Sequence, residues 1–188
     1  MTGLVRRGGR GTLAGGTLLT WSIAEGGRGR RWRATVGADG RLQRAILVET
    51  GADRRVARLE VEDAAGLLTL HPSGDESVLH GNVVTWGGIR HLELPWSPDH
   101  ELLVIPVAFS AIPMAWRLAS HVAPGEIAAR AAVLVDAALA VRPEPVRVNR
   151  RTEGVWSVTT ADGVHEIEID ADGLPAGLGD GASWPLER

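Results

Sequence analysis

Four short loops rich in Asp and Gly punctuate this chain: Ala38-Asp39-Gly40, Asp63-Ala64-Ala65-Gly66, Ala161-Asp162-Gly163 and Asp170-Ala171-Asp172-Gly173. Each is flanked by runs in which apolar and polar residues alternate. Gly, and less readily Asp, adopts the positive φ of tight hairpin turns, and a period of two is that of a half-buried strand. Together they predict repeated β-hairpins. Leu19, Trp21 and Ile23 are expected on one face of an early strand, with Leu18, Thr20 and Ser22 on the other. Trp32, Ala34 and Val36 run up to the first turn, and Leu42, Ile46 and Val48 return from it. Leu59 and Val61 are set against Leu68 and Leu70. Residues 77–79 and 83–86 form a further pair, with His80-Gly81-Asn82 read as the turn. Residues 89–94 alternate until Pro95 stops them.

The rhythm breaks between residues 95 and 124, where prolines stand at 95, 98, 106, 113 and 124. The wholly apolar run 102–107 predicts a strand buried on both faces. Pro113 suits the first position of a short helix, since its missing N–H has no intrahelical acceptor there. For 126–141 the residues leave two readings open. Abundant Ala and the preceding Pro124 favour a helix, whereas the adjacent Val133, Leu134 and Val135 favour a strand. Later, Val146 to Val148, Trp156 and Val158, and Ile167 and Ile169 restore the alternation. Residues 1–15 are expected to be a flexible lead and 16–188 a single domain.

At 188 residues, 44% hydrophobic and 23% charged, the chain can bury a core, and disorder is excluded as its overall state. A net charge of −3 offers no electrostatic reason to bind nucleic acid. All 20 basic residues are Arg, a pattern of GC-rich coding rather than of function. Without Cys, disulfides and Cys-ligated metals are excluded. No apolar run approaches the roughly 20 residues of a membrane helix. Arg6-Arg7 ahead of Leu13 to Leu19 faintly resembles a twin-arginine export signal, but no small-residue cleavage site follows, so a cytoplasmic location is expected.

With these elements placed, the chain resembles a bacterial family assigned to glycolipid binding on the basis of its fold. Three pieces carry the likeness: Thr17-Leu18-Leu19-Thr20-Trp21, Ile112-Pro113-Met114-Ala115-Trp116-Arg117-Leu118 with Pro124-Gly125-Glu126, and a closing hairpin that ends in Asp172-Gly173-Leu174. The family's Thr-Asn before its Leu-Pro is replaced here by Phe109-Ser110-Ala111. One of its two arginines becomes Trp116, and Arg117 is retained. The resemblance implies a mainly β domain in which a long, strongly curved antiparallel sheet rolls around one short helix, with a strand over 126–135. It also implies a distant likeness to carriers that shelter acyl chains.

Seven Trp stand against one Phe and no Tyr. An indole offers a flat apolar face and one donor, which suits a sugar ring or the neck of a lipid cavity. Trp21, Trp32 and Trp156 alternate with apolar neighbours and are read as core. Trp86, Trp96 and Trp116 lie beside Gly or Pro in irregular segments and are candidate ligand contacts. Arg90 shares a strand face with Leu92 and Leu94, and Arg117 follows Trp116. Each guanidinium is a candidate for holding a charged head group, with snorkelling to water as the ordinary alternative.

A metal test is set by His91 with Glu93 and by Asp99-His100-Glu101, but nothing fixes a third ligand, and 99–101 is expected on a polar surface loop. No Gly-x-Ser-x-Gly elbow or phosphate-binding loop occurs. The expected function is therefore non-enzymatic binding of a lipid, glycolipid or similar amphipath in an apolar groove, without a cofactor. The rivals are a His- or metal-dependent enzyme and an interaction module that dimerises through an edge strand.

Overall fold

The computed structural model describes residues 5–12, 17–105, 107–178 and 182–183. Eight strands follow one another up and down: β1 (Val5–Thr12), β2 (Leu18–Gly26), β3 (Gly29–Ala38), β4 (Arg41–Thr50), β5 (Val56–Asp63), β6 (Gly66–Pro72), β7 (Val78–Thr85) and β8 (Gly88–Pro95). Each pairs with the next, so the sheet order is the chain order. After β9 (Glu101–Val104) comes the helix α1 (Ala111–Leu118). Then follow β10 (Ile127–Val135), β11 (Val141–Arg150), β12 (Val155–Thr160), β13 (Gly163–Ile169), β14 (Pro175–Leu178) and β15 (Ala182–Ser183). These strands make a second sheet, ordered β15-β14-β13-β12-β11-β10-β9. Among the described strands only β9 and β10 run parallel, and a parallel pair needs a long crossover, here the segment that carries α1. The result is a mainly β domain with one short helix, a long antiparallel sheet and a strongly curled half-barrel sheet.

All four Asp/Gly loops are strand connections. Asp39 and Gly40 both take positive φ, 52° and 72°, as a tight turn between right-twisted strands requires. Gly66, Gly163 and Gly173 also have positive φ. Register carries the alternation across the first sheet as continuous inward rows. One runs Arg7, Ile23, Trp32, Val48, Leu59, Leu70, Gly81, Leu92 from β1 to β8. The next runs Trp21, Ala34, Ile46, Val61, Leu68, Val83, Arg90. These rows meet α1 and the inward residues of the second sheet in one hydrophobic core. Trp32 and Trp156 are its largest fully buried side chains.

Four expectations change. The segment expected to be a flexible lead contains β1, paired with β2 from Val5↔Glu25 to Thr12↔Leu18. Its Arg and Gly residues carry little strand propensity, but backbone pairing does not need apolar side chains. The rest of that lead, 1–4 and 13–15, lies outside the described residues. His80-Gly81-Asn82 is not a turn: β7 runs straight through it. Gly81 is there because the sheet crowds it; a Cβ would come within 2.4 Å of Leu70 Cδ2 and 2.5 Å of the Thr69 carbonyl oxygen. Glu101 is not on a surface loop but opens β9, where it is 1% exposed. Pro113 is the third helical residue rather than the first, still within the turn whose N–H groups lack intrahelical acceptors. The segment left open by propensity is strand β10 followed by β11, because its Ala residues lie between β9 and β11 in the sheet and tertiary pairing overrides helix preference.

Candidate functional site

β3 sets Arg30 two residues before Trp32, on the inward face, and at 8% exposure its guanidinium is nearly enclosed. Across the β2–β3 ladder Arg30 stands opposite Glu25, and its Nη2 pairs with Glu25 Oε2 at 2.9 Å. Its Nη1 donates to the Asp172 carbonyl oxygen at 2.6 Å, which ties the first sheet to the β13–β14 loop. Among the described residues its buried Nε finds no acceptor. Arg7 of β1 reaches the same loop, with Nη1 2.9 Å from Asp172 Oδ2. Arg7, Ile23, Glu25, Arg30, Asp172 and Leu174 enclose a cleft of about 90 Å³. Ile23 and Leu174, both buried, give it apolar walls.

Behind the cleft, α1 lays the Trp116 ring between two guanidiniums, that of Arg30 at 3.9 Å and that of Arg54 at 4.3 Å. The Trp32 ring lies 5.6 Å away, tilted by 58°. A cation over an indole face is attracted by the ring's negative surface, more so when partly desolvated. The fourth side of Trp116 is the α-carbon of Gly173, where a Cβ would fall 2.0 Å from Cδ1. Gly173 thus serves two needs, its positive φ of 76° and the close approach of the indole.

One residue on, Arg117 points elsewhere. Its Nη2 donates to Glu101 Oε1 in a buried ion pair. Burial pushes the Glu101 carboxyl up to about 7, against the pull of the Arg117 and Arg130 guanidiniums. A group with that pKa can exchange a proton near neutrality, but both partners are enclosed.

The five residues singled out from sequence therefore separate. Trp116 backs the cleft through Arg30, and Arg117 holds Glu101. Trp96 is buried, with its ring edge-on to His100 at 5.3 Å between centroids. Trp86 sits at the β7–β8 turn, fully exposed. Arg90 ends an inward row on the last strand and is exposed. Nor do the metal candidates assemble. His91 Nδ1 meets Asn82 Oδ1 at 2.6 Å, and Glu93 lies 3.5 Å from His80 Nδ1. Among the described residues no three His, Asp or Glu side chains gather in a metal-holding group, and no helix there is long and apolar enough to cross a membrane.

No family model matches this chain, and no curated protein matches it. A solved structure does. A DUF1089 family protein from Pseudomonas aeruginosa covers 95% of this chain and 90% of its own length, with a TM-score of 0.52 and 16% identity. The likeness is one of fold.

Sequence reasoning used strand parity to pick out Arg90 and missed the buried arginines that the same parity marks. Arg30 shares a face with Trp32 and Ala34, Arg44 with Ile46 and Val48, and Arg150 with Val146 and Val148. Each ends an apolar row at a place where it reaches backbone oxygens. Arg44 donates to the Ile105 oxygen at 2.7 Å and the Ala137 oxygen at 3.1 Å, and pairs with Asp63.

Proposed function

We propose that this chain is a non-enzymatic binding protein for an amphipath with a hydroxyl-rich, glycolipid-like head, received in the cleft between β1–β3 and the Asp170–Gly173 loop. The observation that carries this reading is Arg30, a nearly buried guanidinium stacked on Trp116 whose Nε has no acceptor among the described residues. Around it stand a second guanidinium, two carboxylates and a backbone carbonyl. Hydroxyls both donate and accept, so a polyol can join such an alternating set without displacing either ion pair, which a lone anion would have to do. Pockets that enclose a whole drug-sized ligand occupy roughly 300–1,000 Å³. A cleft of about 90 Å³ suits part of a head group, with the tail left in its own apolar phase.

Titration with octyl glucoside below its micelle concentration, followed by tryptophan fluorescence and calorimetry, tests the reading. Saturable binding is expected, with methyl glucoside weaker and octanoate inert. Arg30→Ala and Asp172→Asn should each weaken it by about tenfold, the cost of one hydrogen bond to a charged group, while Arg90→Ala leaves it unchanged. Absence of saturable binding, or binding indifferent to both cleft variants, overturns the proposal.

A further inference from the structure

We propose that the exposed edge of β8 pairs with β8 of a second copy about a twofold axis, with Leu92 opposite Leu92, joining two eight-strand sheets into one. This surface is separate from the cleft and does not rest on the binding role.

β8 closes the first sheet and is hydrogen-bonded to β7 alone among the described strands. The other sheet ends are covered, since β1 lies against β15 and β9 against β5. The β7–β8 ladder shows which backbone groups are free. The Trp96 N–H donates to the Ser77 oxygen at 2.9 Å, in line with the register Val78↔Pro95 to Thr85↔Gly88. Antiparallel pairs alternate between bonded and non-bonded positions. Gly88, Arg90, Leu92 and Leu94 therefore turn their amides and carbonyls toward β7, and Ile89, His91 and Glu93 turn theirs outward. Natural edges are blunted by a bulge, a Pro or charged side chains, inward-pointing ones among them. β8 has no bulge against β7 and no Pro before Pro95, and its one inward-pointing charge is the exposed Arg90.

Chemistry selects the partner and the register. In an antiparallel pair that continues the sheet, residues from the same face lie opposite each other, which leaves four central registers. Arg90 opposite Arg90 brings two guanidiniums together. His91 opposite His91 also sets the exposed Ile89 against a carboxylate. Glu93 opposite Glu93 brings two carboxylates together. Leu92 opposite Leu92 places His91 against Glu93 twice and Ile89 against Pro95, and it uses the outward amides of His91 and Glu93 as the bonded pair. Each Glu93, already 3.5 Å from His80, then lies between two imidazoles, and each His91 keeps its 2.6 Å contact with Asn82. On the inner face, the row from Arg7 to Leu92 continues into the same row of the second copy. A twofold pairing of this kind closes both edges, so assembly stops at two.

Such a strand contact alone is small, and a concentration-dependent dimer follows. Sedimentation velocity of the full chain over a wide concentration range should show monomer giving way to dimer. His91→Pro removes an outward N–H and leaves the β7 ladder intact, and it should hold the chain monomeric with an unchanged circular dichroism spectrum. Glu93→Arg, at an exposed position, should weaken the dimer on the order of tenfold through its two symmetric pairs. The swap His91→Glu with Glu93→Arg should restore it. A wild type that stays monomeric throughout, or a dimer that Glu93→Arg leaves untouched, overturns the proposal.

Discussion

Glu101 shows how one buried carboxyl couples the core to pH. Its ordinary pKa of 4.5 rises to about 7 in the fold because burial disfavours the charge, even with Arg117 in contact. Between those values the unfolded chain releases this proton and the folded chain keeps it. The native state then binds more protons, so this residue's contribution to stability falls as pH rises through the window, and the loss is complete above about 7. Glu101→Gln mimics the protonated form and should remove that fall. Urea unfolding of wild type and variant at pH values on both sides of the window checks it. The wild type should lose ground relative to Glu101→Gln as pH rises; parallel curves would place the Glu101 proton elsewhere.

Within elements, small residues and arginines settle the geometry. α1 lacks a side-chain N-cap bond, and Ser110 instead ties its start to β9, its Oγ accepting from the Val104 N–H at 2.8 Å. Beyond its C-terminus, Arg150 Nη1 donates to the oxygen of the C-cap Ala119 and to that of Val122 in the following turn, both at 2.8 Å, satisfying a carbonyl the helix end leaves open. β7 depends on Gly81, above which Leu70 and the Thr69 carbonyl leave no space for a methyl group. Gly81→Ala should cost about 1–3 kcal/mol through overpacking. Gly74→Ala, at a glycine with nothing within 4 Å of a Cβ, should change little. Chemical denaturation of the two variants decides the matter, and equal stabilities would contradict the crowding.

For the molecule as a whole, the two sheets share one core. Trp21 and Trp32 from the first sheet and Trp156 from the second belong to the same buried cluster, and Arg44 of β4 donates to the Ile105 and Ala137 oxygens just beyond β9 and β10. Thermal unfolding followed by far-ultraviolet circular dichroism and by tryptophan fluorescence should therefore trace one coincident transition. Two separated midpoints would mean that the sheets unfold independently.

The sequence by itself determined the hairpins. Period two and Asp-Gly turn chemistry are local, so the positive φ of Asp39 and Gly40 and the inward set Leu19, Trp21 and Ile23 were legible from neighbours in the chain. The three Trp assigned to the core were legible for the same reason. Only the tertiary structure decided which arginines are enclosed, that Gly81 is a packing glycine, that Val5–Thr12 joins the sheet, and that Trp116 and Arg117 diverge into different surroundings. Those outcomes depend on partners far apart in the chain, 142 residues from Arg30 to Asp172 and 165 from Arg7 to Asp172. Local pattern specifies the face a side chain takes, and the docking of distant segments decides what waits there.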